Sequence, residues 1–311
     1  MKRREFRGRR RRFRGRDANY EKSEYPQASI LGRPMTISDQ ESQAFKEFER
    51  NGWAKQAEHY DDLVGQMTRQ TVDAMLSAVD MRLGTRLLDV ASGPGYVAAE
   101  AARRGAEATG TDITYDMVAE ARRRFVGTKY EIADAEHLHY SDASFDAVTC
   151  AFGMLHFPRP GKAAAEAFRV LRPNGRFAFT VWCGPAKAKV LTLIAEAVQR
   201  HAGGSVTVPA GPGLFLLSDP WLLMALMEAA KFVDVRIEEV PCFFAPSSPG
   251  LVFDMMRKSM VRATFVYERQ SQEVQRRIEL AIMDEATKAL AAGQGKIPCP
   301  AFLVSGTKAI G

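Results

Sequence analysis

Short apolar runs alternate with helical patterns through residues 86–151. RLLDVA, AEATGTD, KYEIADA and SFDAVTCAF have the length and apolar content of buried strands, and GYVAAEAARRG and YDMVAEARRRF lie between them with helical spacing. Strands that alternate with helices are typical of a parallel, doubly wound sheet. We therefore predict an α/β fold whose first two strands end at Asp89 and Asp112.

The same alternation continues more loosely beyond residue 160. The sequence Arg172-Pro173-Asn174-Gly175 predicts a turn that ends one helix and begins a fifth strand, and Asn174 tolerates the positive φ that such a turn requires. We further predict helices at 162–171, 187–201 and 220–231, strands at 176–182, 233–240 and 301–307, and a mostly helical stretch at 251–292.

Two helical patterns precede the first strand, between residues 36 and 80. Ser38 and the acidic residues after it predict a capped helix start. The second pattern has apolar residues at steps of three to four, which predicts that it packs on the sheet. These residues are Leu63, Met67, Val72, Met75, Leu76 and Val79.

Positive charge is concentrated at the start of the chain. Residues 1–16 contain Lys2, nine arginines and one acid, a net charge of +9, so the total of +6 leaves −3 for residues 17–311. A mildly acidic body makes nucleic acid an unexpected partner. We expect residues 1–34 to be a disordered tail, and we predict a native N-terminus near Met35. An arm that binds RNA or an acidic membrane, and a solvated arm without a partner, are the alternatives.

Cysteine spacing and hydropathy indicate the cellular environment. The four cysteines lie far apart, with no Cys-x-x-Cys pair and no histidine at metal-ligand spacing, so we expect no metal site and a reducing, cytoplasmic location. No segment approaches the roughly 18 apolar residues that span a bilayer, and the N-terminus has no apolar signal region. We expect a soluble chain with no membrane span.

A small-residue turn follows the first strand. Glycines at such a turn let backbone N–H groups approach a ligand closely, although the spacing also satisfies a relaxed dinucleotide fingerprint. Asp112 follows Gly95 by 17 residues, which suits either a ribose-binding carboxylate or a helix N-cap. The turn consists of Ala91, Ser92, Gly93, Pro94 and Gly95.

The sequence IADAEHLHYSDASFDAVTCAFGMLHF makes the pattern specific. With the glycine turn and Asp112, it resembles the class I S-adenosylmethionine-dependent methyltransferases, in particular the branch of the ubiquinone and menaquinone C-methyltransferases. The resemblance covers residues 53–182. It implies a Rossmann-like, doubly wound seven-stranded sheet of order 3-2-1-4-5-7-6 with the last strand antiparallel, N-terminal helices, and one domain at 35–311 with a helical lid insertion near 251–295.

The resemblance also implies a binding site for S-adenosylmethionine. The residues from Asp89 to Gly95 would surround its methionyl part, and Asp112 would hold the ribose hydroxyls. Asp134 would pair with the adenine amino group. The other implied contacts are Ile113, Met117 and Ala135 at the adenine, Ala151 and Phe152 near the methionine, and Tyr60 over the carboxylate.

Methyl transfer to a small apolar or aromatic acceptor, at oxygen or carbon, is the implied reaction. A nicotinamide-dependent oxidoreductase is the first alternative, but no Tyr-x-x-x-Lys pair follows the fourth or fifth predicted strand. An RNA methyltransferase that uses the basic tail is the second, and a non-catalytic binding protein is the third. The sequence after the fourth strand lacks the Asn-Pro-Pro-Tyr pattern of base methyltransferases.

The acceptor site is left open by the sequence. His156, just after the fourth strand, is either a proton acceptor or a histidine packed under the lid, and His137 and His139 are expected to be exposed. The helical stretch is rich in methionine and aromatic residues, among them Phe253 and Met260, which either contact an apolar acceptor or form a core seam. An acidic group of the acceptor would face Arg257 or Arg262.

Overall fold

A computed structural model describes residues 12–13, 37–204 and 206–310 of the chain. Its centre is a mixed sheet in the order β1-β7-β10-β6-β5-β2-β3-β4, with a separate two-stranded pair, β8-β9. The strands are β1 Arg12–Phe13, β2 Arg86–Val90, β3 Glu107–Asp112, β4 Lys129–Ile132, β5 Phe145–Ala151, β6 Leu171–Trp182, β7 Phe232–Val240, β8 Phe243–Phe244, β9 Ile297–Pro298 and β10 Ala301–Lys308.

The order of the sheet confirms the predicted topology. Counted from β2, its seven strands lie in the order 3-2-1-4-5-7-6, and β10, the last of them, is antiparallel to both β6 and β7. The strands β2, β3, β4, β5 and β6 pair in parallel. Their carboxyl ends therefore meet at one edge, which is where open α/β sheets bind ligands.

Helices cover both faces of the sheet. Leu87 and Leu88 are neighbours on β2, so their side chains point to opposite faces, and both are fully buried. Leu87 packs with α3 and α4, and Leu88 packs with α6 and α8. The helices are α1 Asp39–Gln56, α2 Gly65–Thr68, α3 Val72–Ala78, α4 Tyr96–Arg103, α5 Tyr115–Arg124, α6 Pro160–Val170, α7 Lys189–His201, α8 Pro220–Ala229, α9 Gly250–Ser259, α10 Val261–Glu268 and α11 Gln272–Ala292.

The N-terminal helices agree only in part with the sequence prediction. Ser38 caps α1 in a capping box with Glu41, as expected. The second predicted pattern is helical from Gly65 to Ala78, with a 3₁₀ turn at Arg69–Thr71 between α2 and α3. The Thr71 hydroxyl donates to the Thr68 carbonyl at 2.8 Å, a side-chain bond of the kind that competes with regular helix.

The turn before the fifth predicted strand is a bulge inside β6. Between its pairs Phe145↔Leu171 and Ala147↔Arg176, β5 advances two residues while β6 advances five. Asn174 lies in this bulge with φ of 63°, which confirms the left-handed conformation expected for it.

The basic N-terminal segment is described only at β1, which pairs antiparallel with β7 at the sheet edge. The predictions that residues 1–34 are disordered and that the native chain starts near Met35 otherwise lie outside the described residues. Within the described ranges, no helix is both long enough and apolar enough to cross a membrane.

Candidate functional site

The turn from β2 into α4 brings three residues with positive φ together. Ala91 and Gly93 both have φ of 51°, and Gly95 has φ of 94°. A side chain at Gly95 would place Cβ 2.5 Å from the Tyr130 hydroxyl oxygen, whereas Cβ at Gly93 would meet nothing within 4 Å. Gly95 therefore serves packing, and Gly93 faces open space.

Asp112 fastens this turn to the end of β3. Its Oδ2 accepts the Gly93 N–H at 3.0 Å, and its Oδ1 accepts the Thr114 N–H at 2.9 Å. The N-cap residue of α5 is Thr114, so Asp112 is not the cap. Burial raises the pKa of Asp112, which is 8% exposed, and the two backbone donors favour its charged form.

Asp89 lies behind the turn rather than at its surface. Its carboxylate is fully buried and accepts the Thr149 hydroxyl at 2.8 Å and the Ala98 N–H at 3.2 Å. It holds the start of α4 against β5. Burial raises its pKa to about 7.

The raised pKa of Asp89 makes the stability of the fold depend on pH. From about pH 4 to about pH 7 the folded chain keeps a proton that the unfolded chain has lost, so the free energy of unfolding falls as pH rises through this window. Between about pH 5.5 and about pH 8, wild type should lose about 2 kcal/mol more than Asp89→Asn in urea unfolding. Asp116→Asn, an exposed control, should keep the wild-type slope. Equal slopes in wild type and Asp89→Asn would contradict this assignment.

A cavity of about 470 Å³ opens at the carboxyl edge of the sheet. The structure brings ten of the predicted cofactor residues to its wall, and Asp89, Ser92 and Gly95 are outside it. From the strand ends come Ala91, Gly93, Asp112, Asp134, Ala151 and Phe152. From the helices and loops come Tyr60, Ile113, Met117 and Ala135.

A lysine of α1 lines this cavity. The Lys46 ammonium is 2.6 Å from Asp134 Oδ2 and 2.9 Å from Glu136 Oε2. The other Asp134 oxygen accepts the Glu136 N–H at 2.9 Å. Asp134 is thus already partnered on both oxygens, and its side chain remains 31% exposed.

A buried carboxylate one helical turn further along α1 also lines the cavity. Glu49 Oε2 is 2.9 Å from His156 Nδ1, and Glu49 Oε1 accepts from Arg262 Nε at 2.7 Å. The Trp53 indole N–H also donates to Glu49 Oε2, at 3.1 Å. Burial by itself raises the pKa of Glu49, but His156 and Arg262 outweigh it and hold the pKa below its ordinary value.

Much of the remaining cavity wall is apolar. Phe152 stacks on Trp182 with ring centroids 4.0 Å apart. Of the methionine and aromatic residues predicted for the lid, Met260 lines the cavity, but Phe253 and Met256 are buried in a core cluster and Arg257 is exposed. Further apolar lining comes from Leu191, Ala195, Val198, Leu214, Val261 and Val266.

Sequence reasoning missed the contribution of α1. Lys46, Glu49 and Trp53 follow one another at helical spacing, so they share the face of α1 that lines the cavity. That spacing could have been used to predict that the three residues act together. His137 and His139 were expected to be exposed, and their side chains are 68% and 52% exposed.

Comparisons with known proteins match the segment that carries the strand-end residues of this site. Residues 88–179 match the family described as "Methyltransferase domain". The ubiquinone/menaquinone biosynthesis C-methyltransferase UbiE of Bradyrhizobium diazoefficiens is 42% identical over 129 residues, which are 38% of this chain and 51% of the relative. The demethylmenaquinone methyltransferase of Deinococcus radiodurans is 35% identical over 162 residues, which are 47% of this chain and 67% of the relative.

A solved structure shares the fold. The YcgJ protein from Bacillus subtilis superposes with a TM-score of 0.50 at 18% identity, over 78% of this chain and 99% of the other. The chain spans about half the length of the Bradyrhizobium relative and about two thirds of the Deinococcus relative. On these sequence matches and this fold, the chain belongs to the class I S-adenosylmethionine-dependent methyltransferases, in the branch of the ubiquinone and menaquinone C-methyltransferases.

Proposed function

We propose that this chain transfers a methyl group from S-adenosylmethionine to a small, apolar or aromatic acceptor, at oxygen or carbon. The observation that carries the proposal is the single cavity at the strand ends, because polar groups that suit the cofactor and an apolar wall that suits the acceptor line the same space. The cofactor supplies an activated methyl group on a sulfonium. The protein then has to hold the acceptor in line and exclude water.

The residues around the glycine turn fit this cofactor. Gly93 leaves room for close approach, and Asp112 retains acceptor capacity for ribose hydroxyls beside the two backbone bonds that it already makes. Ile113 and Met117 offer apolar surface for a purine. Asp134 would take the adenine amino group by sharing its Oδ2 with Lys46, since a carboxylate oxygen accepts more than one hydrogen bond.

The apolar wall favours an acceptor with an aromatic or hydrocarbon body. The Deinococcus relative is named for demethylmenaquinone, and the Bradyrhizobium relative for ubiquinone and menaquinone biosynthesis. A reduced quinone of this kind has a flat ring, hydroxyl groups and an apolar substituent. We propose demethylmenaquinol as the first acceptor to test.

Calorimetric titration of the whole chain with S-adenosylmethionine, S-adenosylhomocysteine and NADH tests the cofactor assignment. We expect both sulfur compounds to bind with one site per chain and NADH to give no heat of binding. Saturable binding of NADH without binding of S-adenosylmethionine would overturn the proposal in favour of an oxidoreductase.

Filling the apolar part of the cavity should impair use of the acceptor without weakening binding of the cofactor. Ala195 of α7 lines the cavity, so Ala195→Trp should lower kcat/KM for demethylmenaquinol by at least about tenfold and leave the affinity for S-adenosylmethionine nearly unchanged. Glu196→Trp adds the same side chain on the exposed side of α7 and should behave as wild type. Equal losses of cofactor affinity and turnover in Ala195→Trp would count against an acceptor site here.

A further inference from the structure

We propose that His156 is a general base that takes a proton from the acceptor, and that Glu49 is the residue that positions it. This inference rests on the proposed methyl transfer, since it assigns a role within the same cavity. It also narrows the acceptor to molecules with an acidic hydroxyl, such as a phenol, an enol or a hydroquinone.

The geometry around the imidazole leaves one nitrogen available. Nδ1 is engaged with Glu49 at 2.9 Å, and Nε2 has no hydrogen-bond partner within the described part of the chain. The ring lines the cavity, and the side chain is 26% exposed. The Trp53 ring meets the imidazole edge to face at a centroid distance of 5.0 Å. One bond and one ring contact therefore fix the plane of His156.

The ionisation of Glu49 determines which nitrogen carries the proton. Glu49 accepts from the Arg262 guanidinium at 2.7 Å and from the Trp53 indole at 3.1 Å, which holds it as a carboxylate, and a carboxylate can only accept from Nδ1. The ring is then either the neutral Nδ1–H form, with a free lone pair on Nε2, or the imidazolium. A base requires the first form.

Arg262 is the second ionic partner of Glu49. Its guanidinium lies 2.7 Å from Glu49 and also donates to the Leu155 carbonyl at 3.2 Å, so one cation already balances the buried carboxylate. Asp112 also lines the cavity and interacts electrostatically with His156. These three residues come from α1, α10 and β3, and they leave His156 free to gain a proton during the reaction.

The proton transfer is balanced within this cluster. The acceptor O–H bond breaks, the proton moves to Nε2, and the electron pair stays on the acceptor oxygen or its conjugated carbon, which becomes the nucleophile. The imidazolium that forms is paired with Glu49 at Nδ1. After product release the proton passes to solvent through the exposed part of the ring.

Nitrogen NMR of the histidine rings tests this without any turnover. With ¹⁵N-labelled whole chain, and His156→Gln to assign the signal, we expect the neutral ring of His156 to carry its proton on Nδ1. Glu49→Gln should remove that preference and give a mixture of forms. An Nε2–H ring, or an imidazolium that persists up to about pH 9, would overturn the proposal, because either state lacks a lone pair for the acceptor proton.

Kinetics then separates this role from the function as a whole. His156→Gln should lower kcat for demethylmenaquinol by about 100-fold, abolish the fall of kcat at acid pH, and leave the calorimetric affinity for S-adenosylhomocysteine unchanged. His139→Gln, an exposed control, should match wild type. If wild type methylates the acceptor and His156→Gln keeps the wild-type kcat, the assignment of His156 as the base is wrong. The proposed methyl transfer would then remain supported. If wild type binds no S-adenosylmethionine, the proposed function fails, and the NMR result still decides the state of the ring.

Discussion

Gly93→Leu should abolish binding of S-adenosylmethionine and leave the fold intact. The new Cβ would meet nothing within 4 Å, so the side chain has room in the protein without ligand, but it would project into the cavity from the turn that we propose for the methionyl part. We expect calorimetry to show an affinity loss of more than about 100-fold, equivalent to about 2.7 kcal/mol. Circular dichroism should show the wild-type spectrum.

A second glycine provides a matched control for backbone strain. Gly84 has φ of 75°, a side chain there also meets nothing within 4 Å, and it lies outside the cavity. A non-glycine residue in this conformation costs about 1–2 kcal/mol at either position. Gly84→Leu should therefore lose comparable stability and bind S-adenosylmethionine as wild type does. Equal binding by Gly93→Leu and Gly84→Leu would rule out the glycine turn as the cofactor site.

Strands such as β2 could be predicted from the sequence because they are apolar on both faces. Leu87 and Leu88 illustrate this, since each is fully buried against a different helical layer. The order of the strands did not follow from these patterns and came from the resemblance. The 3₁₀ turn between α2 and α3 was missed because apolar spacing at three- to four-residue steps does not distinguish such a turn from α-helix.

The candidate site was predictable where residues follow strand ends, and less so where distant segments meet. Asp112 and Asp134 stand at such ends, and both line the cavity. Glu49 and Arg262 are 213 residues apart in the sequence. Taken alone, each would be predicted to be a solvent-exposed charge on a helix. Only the fold shows that they form one buried cluster with His156.

The interpretation of residues 251–292, which were predicted to form a lid, also changed for a packing reason. The apolar spacing in 251–292 does not show which face of each helix packs in the core and which face lines the cavity. The structure buries Phe253 and Met256 in the core and gives the cavity Met260 at the junction of α9 and α10. Apolar contact with the acceptor is therefore expected from α7 as much as from the inserted helices.

Asp112→Ala should remove cofactor binding at little cost to stability. In the proposed complex the carboxylate accepts two ribose hydroxyls, and hydrogen bonds to a charged group contribute about 1.5–3 kcal/mol each, so the affinity should fall at least about 100-fold. Two effects on the free energy of unfolding oppose each other. The substitution leaves the Gly93 and Thr114 N–H groups without their acceptor, but it also removes a carboxylate whose charge is disfavoured by burial, as its raised pKa shows.

Calorimetry and urea unfolding on the same samples separate binding from stability. Asp116→Ala removes an exposed carboxylate four residues along the chain and should keep both wild-type affinity and stability. For Asp112→Ala we expect unfolding free energy within about 1 kcal/mol of wild type, because water in the cavity can reach the two N–H groups. If Asp112 contributed only to folding, Asp112→Ala would show a large loss of stability and an unchanged affinity for S-adenosylmethionine. That result would show that Asp112 merely fastens the turn, and the ribose would then need another acceptor on the cavity wall.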